Sequence, residues 1–118
     1  MIAVIDDDPS VRRALLRLLR AAGYAAEAFA SAAQYLDAAV TTLPACLVLD
    51  VRLAGSTGFD LADRLRAAPP PPPIVFITAH DDAPTRERAR RAGAAGYLAK
   101  PFEGQALLDV VHRIAGPA

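Results

Sequence analysis

The chain has one cysteine, no tryptophan and, among its 13 basic residues, a single lysine. Cys46 alone cannot close an internal disulfide, which suits a reducing compartment. No apolar run approaches the roughly 18 residues of a membrane span. The start, Ile2-Ala3-Val4-Ile5 followed by three aspartates, lacks the basic and long apolar layout of a signal peptide, and the expected location is the cytoplasm. Net charge is lacking too. Thirteen acidic residues balance thirteen basic ones, so no general electrostatic pull toward nucleic acid or an anionic membrane is expected. What remains is 118 residues at 53% hydrophobic content, enough for one domain spanning 1–118 with a core of its own and no room for a second. Twelve arginines against Lys100 is also a signal. A lysine kept against that bias hints at a position wanting a compact ammonium rather than a planar guanidinium.

Short apolar runs of β type alternate with amphipathic helical stretches. Ile2–Ile5 reads as a buried strand, after which Asp8 caps a helix with Pro9 at its first position. Val11, Ala14, Leu15, Leu18, Leu19 and Ala22 keep the helical period, and Gly23 ends it. Ala25–Phe29 is a weaker strand. Ser31 and Gln34 have capping-box spacing and open a helix to about Val40. Cys46–Asp50 is apolar on both faces, as in a parallel sheet covered by helices. A glycine-rich loop and a helix marked by Leu61, Ala62 and Leu65, ending near Ala68, lead to a strand at Ile74–Thr78. Asp82 caps a helix to about Ala92, Gly96–Ala99 is a fifth strand, and Leu107, Val110, Val111 and Ile114 form the inner face of the last helix. Five βα units without a strand hairpin predict a flavodoxin-like (βα)5 three-layer sandwich with parallel strand order 2-1-3-4-5. The proline run Pro69–Pro73 reads as a stiff loop rather than a proline-rich ligand.

In such sheets ligands bind beyond the carboxyl ends of the strands, where the strand order reverses. Those ends carry Asp6 and Asp7, Asp50, Thr78 and Lys100, from well-separated parts of the chain. Two carboxylates 4 Å apart repel by about 4 kcal/mol at an effective dielectric near 20. Three of them call for a compensating cation, and an all-oxygen set with few protein ligands suits Mg²⁺. Asp8, followed by Pro9, is sufficiently explained as a helix cap. For Asp6, Asp7 and Asp50 together, helix capping leaves the lysine and the hydroxyl at the other strand ends unexplained.

Four segments then stand out: Ile5-Asp6-Asp7-Asp8-Pro9-Ser10-Val11-Arg12, Leu47-Val48-Leu49-Asp50-Val51-Arg52-Leu53, Ile77-Thr78-Ala79-His80 and Gly96-Tyr97-Leu98-Ala99-Lys100-Pro101-Phe102. Their order and spacing resemble the signature segments of response-regulator receiver domains in two-component signalling, most closely the FixJ type. The resemblance covers the whole chain. It implies Asp50 as the phosphorylated residue, with the donor a phosphohistidine on a sensor histidine kinase or phosphotransfer protein. It implies Mg²⁺ bound by Asp7 directly, by Asp6 largely through water, by Asp50 and by the main-chain carbonyl of Arg52. Thr78 and Lys100 would contact the phosphoryl oxygens, and small Ala79 would leave access. Pro101 would follow a cis peptide. Tyr97, which periodicity alone reads as an ordinary half-buried aromatic, would switch with Thr78 and remodel the face of helix 4, strand 5 and helix 5, a face that could also form a homodimer. Arg52 and His80 lie where the family tunes the phosphate's lifetime. Ala54 departs from the family's usual proline in the loop after the phosphorylated residue, without loss of a chemical group.

Two other readings compete. Asp6-x-Asp8-x-Ser10 loosely resembles the nucleophile motif of haloacid-dehalogenase-like phosphatases, but the acidic pair expected after the lysine segment is missing. A degenerate receiver that binds partners without phosphorylation conflicts with the intact acidic set. Arg86, Arg88, Arg90 and Arg91 read as a solvated helix face or partner surface, so no direct nucleic-acid binding is expected. Cys46 and His112 read as a strand residue and a surface helix residue.

Overall fold

The computed structural model describes residues 1–38, 43–68 and 70–118. Its main sheet contains β1 (Ile2–Ile5), β2 (Ala26–Phe29), β3 (Cys46–Asp50), β6 (Ile74–Thr78) and β7 (Gly96–Ala99), all parallel, in the order β2-β1-β3-β6-β7. This is the predicted 2-1-3-4-5 order of main-sheet strands. Every residue of β1, β3 and β6 is buried, because helices cover both faces. Alternate residues divide between two cores. Ala3, Ile5, Leu47, Leu49 and Phe76 pack with Tyr35 of α2 (Ala32–Ala38), Leu61 of α3 (Gly58–Arg66) and Ala89 of α4 (Ala83–Arg91). Ile2, Val4, Val48, Val75 and Ile77 pack on the other face with Leu15 and Leu19 of α1 (Pro9–Ala21) and Leu107 and Val111 of α5 (Gly104–Ala115). The result is the expected three-layer sandwich.

Local chemistry sets the helix ends. Asp8 accepts the Ser10 N–H at 2.8 Å, and Asp82 accepts the Thr85 N–H at 2.8 Å, so both aspartates cap as their sequence positions foretold. Ser31 accepts the Gln34 N–H at 3.1 Å, but the Gln34 side chain reaches back to the Ala30 N–H, one residue beyond the capping-box position. The predicted end of that helix at Val40, and Pro69 of the proline run, lie outside the described residues. Pro73 enters the sheet directly, its carbonyl accepting the Leu47 N–H at 2.8 Å.

The loop after Asp50 is more ordered than its glycines implied. Contrary to the expectation of no strand hairpin, β4 (Arg52–Leu53) pairs antiparallel with β5 (Ser56–Thr57) around Ala54-Gly55, and Gly55 takes φ +79° to make the turn. Thr57 and Asp60 then form a reciprocal capping box, which starts α3 three residues before the first apolar residue that marks it, Leu61. Gly58 closes the loop by donating its N–H to the Val51 carbonyl at 2.7 Å. A Cβ there would collide with the Asp50 carbonyl oxygen and press on the Leu49 side chain.

Gly58→Ala is therefore expected to destabilise the protein by about 1–3 kcal/mol, although alanine is the better helix former. Urea denaturation should show a lowered midpoint at unchanged slope; an unchanged or raised midpoint would contradict the close approach.

Candidate functional site

The register of the sheet assembles the site. Ile5 pairs with Leu49, so Asp6 lies level with Asp50 on the neighbouring strand. Asp50 pairs with Ile77 and Thr78 with Ala99, which sets Thr78 beside Asp50 and Lys100 just beyond the end of β7. Asp6 and Thr78 have no exposed surface and Asp50 is 7% exposed, whereas Asp7 faces solvent. Asp6, Asp7 and Asp50 each offer a carboxylate oxygen, all within 4.8 Å of one another. These are hard oxygen donors with one open, solvent-facing side, a set that fits a small divalent cation retaining water.

Asp6 is gripped at three atoms. Its Oδ2 accepts from Lys100 Nζ at 2.7 Å, its Oδ1 from the Asp8 N–H at 2.9 Å, and its carbonyl from the Arg12 guanidinium at 2.9 Å. Lys100 also reaches Asp50 Oδ2 at 3.3 Å, and the Arg52 N–H reaches Asp50 Oδ1 at 3.3 Å. Burial, followed by the charge of Asp6, pushes the Asp50 carboxyl up to about 6, against the pull of Lys100 and the Arg52 N–H. Burial disfavours the Lys100 ammonium, but its hydrogen bond to Asp6 and the charges of Asp50 and Asp6 outweigh that and raise it above the ordinary lysine value. The proton-binding tendencies agree: the pocket is short of positive charge.

The remaining predicted residues surround this centre. The Thr78 hydroxyl oxygen accepts the His80 N–H at 3.0 Å. The Lys100–Pro101 peptide is cis, the isomer that the sequence alone left open, and the Lys100 N–H is held by the Thr78 carbonyl at 2.7 Å. Ala79, Lys100 and Pro101 border a largely apolar groove completed by Val11, Ala14, Leu15 and Phe102. Tyr97 is half-buried and lies away from the acidic centre, its hydroxyl donating to Asp81 at 3.1 Å. Arg12 and Asp81 were passed over in sequence. Arg12 had one available signal, being one turn after the Asp8 cap and so placed to fold back over β1; Asp81 had none, sitting between a strand end and a cap.

A doubly wound parallel sheet with three carboxylates, a hydroxyl and a lysine gathered at its strand ends defines an α/β domain with a carboxylate-centred site. The family model described as the response regulator receiver domain matches residues 2–112, and the chain belongs to that family. Nodulation protein W of Bradyrhizobium diazoefficiens is 43% identical over 111 residues, covering 94% of this chain and 49% of that protein. The transcriptional regulatory protein FixJ of Azorhizobium caulinodans is 38% identical over 115 residues, covering 98% of this chain and 54% of its own length. The chain thus spans about half the length of these curated relatives. Among solved structures, a response regulator receiver protein from Burkholderia phymatum superposes with TM-score 0.87 at 44% identity, covering 99% of this chain and 95% of that one. The response regulator StyR gives TM-score 0.87 at 46% identity, covering 97% and 58%. The matching family model is a receiver domain, and Asp8, which the phosphatase alternative drew on, caps α1 with one carboxylate oxygen.

The raised Asp50 carboxyl sets a pH dependence. Its ordinary value is 3.8 and its folded value about 6, so between them the folded state holds more protons than the unfolded one. Stability then falls as pH rises through that window, by up to about 3 kcal/mol. With chelator present, the thermal midpoint of Asp50→Asn relative to wild type should climb from pH 4 to pH 6.5 and then level. A pH-independent difference would contradict the raised carboxyl.

Proposed function

We propose that Asp50 accepts a phosphoryl group from a phosphohistidine on a sensor histidine kinase or phosphotransfer protein, as a Mg²⁺-dependent switch. The observation carrying this reading is the convergence of Asp6, Asp7 and Asp50 within 4.8 Å, with the Lys100 ammonium on two of them. In the transfer, an Asp50 carboxylate oxygen forms a bond to phosphorus while the phosphorus–nitrogen bond breaks. The electron pair returns to the ring nitrogen, and because the phosphoimidazole is protonated on its other nitrogen the ring leaves as neutral imidazole. Most of the domain's contribution to such a step is positioning and charge compensation. Asp6, Asp7, Asp50 and the Arg52 carbonyl would hold Mg²⁺, which when bound neutralises the carboxylates and the charge on the phosphoryl oxygens. Lys100 would shift its hydrogen bonds from carboxylate to phosphoryl oxygen, and Thr78 would donate its hydroxyl to another. Ala79 keeps the approach open, and the apolar groove bordered by Val11, Leu15, Pro101 and Phe102 offers the donor protein a surface beside the reacting atoms.

The new acyl phosphate carries roughly −1.5 to −2 charges in place of the single negative charge of the carboxylate. Movement of Thr78 toward it would let Tyr97 turn inward and reshape the face of α4, β7 and α5, which is the surface proposed for output and for a homodimer. Three of the four arginines of α4 are engaged within the domain, Arg86 with Asp81, Arg88 with Asp63 and Arg90 with Glu87, which supports the reading without direct nucleic-acid binding. The resemblance to FixJ, whose name marks it as a transcriptional regulatory protein, suggests transcription as the process under control. The domain's own chemistry is limited to its phosphorylation and dephosphorylation.

Incubation with Mg²⁺ and acetyl phosphate should add one phosphoryl group, seen by intact mass and not formed when a chelator is present from the start. Asp50→Asn should abolish the label, and Lys100→Ala should slow labelling about a hundredfold. Label that survives in Asp50→Asn but disappears in Asp6→Asn would instead support the phosphatase reading, and no label with no Mg²⁺ affinity the degenerate module.

A further inference from the structure

Tyr97 does not simply rest in an outward position; it is fastened there. Its hydroxyl donates to Asp81 Oδ1 at 3.1 Å, and the same oxygen receives the Arg86 guanidinium at 3.3 Å. Asp81 belongs to the five-residue segment Thr78-Ala79-His80-Asp81-Asp82, which joins the end of β6 to the start of α4. Side-chain bonds tie that segment down at each end. Thr78 takes the His80 N–H at 3.0 Å on the side of the acidic pocket, and Asp82 takes the Thr85 N–H at 2.8 Å on the side of α4. The acceptor for Tyr97 therefore sits on the piece of chain that a displaced Thr78 would pull. Burial and the Asp81 carboxylate push the Tyr97 phenol up to about 12, so it remains a donor across the working range of pH.

We propose that Asp81 is a catch for Tyr97, seated by Arg86, which holds the aromatic outward in the resting domain and thereby sets the fraction already switched before a phosphoryl group arrives. The inference rests on the Thr78–Tyr97 switch proposed above. It makes Asp81 a positioning residue that acts through Tyr97 and touches neither phosphoryl group nor cation. When Thr78 moves toward the phosphoryl oxygen, it drags the His80 peptide and with it Asp81, so Tyr97 loses its outward partner in the same movement that opens space on its inner side. Linkage then requires reciprocity: whatever weakens the catch must strengthen binding of a phosphoryl group or its mimic by the same factor.

The test uses ring-¹³C-tyrosine NMR with Mg²⁺ and beryllofluoride, a mimic of the acyl phosphate. The chain has three tyrosines, Tyr24, Tyr35 and Tyr97, and the Tyr97 signal is assigned by its loss in Tyr97→Phe. Beryllofluoride should move the wild-type Tyr97 signal to a new position. In unliganded Asp81→Ala the signal should already lie part-way toward that position, with Tyr24 and Tyr35 unchanged as evidence of an intact fold. The same variant should bind beryllofluoride about fivefold more tightly, as loss of one partly exposed hydrogen bond to a charged group predicts. Arg86→Ala should act in the same direction to a lesser degree. Placed in the Tyr97→Phe background, Asp81→Ala should change the affinity no further, because the catch has nothing left to hold. An unliganded Asp81→Ala signal identical to wild type, while the wild-type signal still moves on binding, overturns the catch and leaves the switch standing. A wild-type Tyr97 signal that stays put when beryllofluoride binds overturns the switch and the catch together.

Discussion

Two buried carboxylates held by one ammonium, with a third carboxylate beside them, form the interaction on which the rest of this structure depends. Asp6 is wholly buried and Asp50 nearly so, a placement that water would ordinarily oppose. It persists because the partners converge from four strand ends. β1 and β3 bring Asp6 and Asp50 level, β6 interposes Thr78, and Lys100 arrives from β7 across the width of β6. The shorter of its two contacts is with the more deeply buried acid, 2.7 Å to Asp6 against 3.3 Å to Asp50. That asymmetry leaves Asp50 the less compensated carboxylate, consistent with its raised affinity for a proton and with the place where new chemistry is proposed.

Holding such a site needs a scaffold that does not relax around it. The two cores supply one, each built from alternate residues of the same strands, so any shift of β1 or β3 would disturb packing on both faces at once. The loop beyond Asp50 is fixed in a different way, by the β4–β5 pairing, the Gly58–Val51 bond and the Thr57–Asp60 caps. On the other side, α4 is braced to α3. Arg88 pairs with Asp63 while lying 5.0 Å from the centre of the Phe59 ring, and Phe59 packs on Phe76 of β6. Rigid packing thus surrounds the acidic centre, while the fastenings near α4 are largely polar and exposed. Polar surface contacts are the ones that can be exchanged at small cost, which fits a domain whose proposed output lies there.

The sequence made the strands legible because helices cover both faces, so β1, β3 and β6 appear as unbroken apolar runs ending in a polar residue. Asp50 and Thr78 could be located by that ending alone, and Lys100 by its isolation among arginines. The capping roles of Asp8 and Asp82 were equally visible, since each depends on neighbours two or three residues away. What stayed hidden lacked a period. The β4–β5 ladder is two residues long on each side, too short to alternate. The onset of α3 at Gly58 precedes the first apolar residue that marks it. The Tyr97–Asp81 bond joins residues 16 apart, and the Arg12 grip ends on a main-chain carbonyl that no side-chain pattern reports. The fold was readable because burial is periodic, whereas these contacts depend on where the fold happens to bring single groups.

At the opposite end of the sheet, the Tyr24 hydroxyl donates to the Gly116 carbonyl at 2.7 Å, joining the turn after α1 to the residue that follows α5. The Gly23 backbone lies so close to Ala118 that a Cβ there would stand 3.2 Å from the alanine methyl group. This stitch gives the domain a mechanical ground: α1 and α5, the two helices of one layer, are pinned at the ends remote from the acidic centre. Motion begun at Asp50 in the proposed switch would have no free lever along this layer. It would be channelled sideways instead, across β6 and β7 toward α4, with transmission along one edge and the base held still.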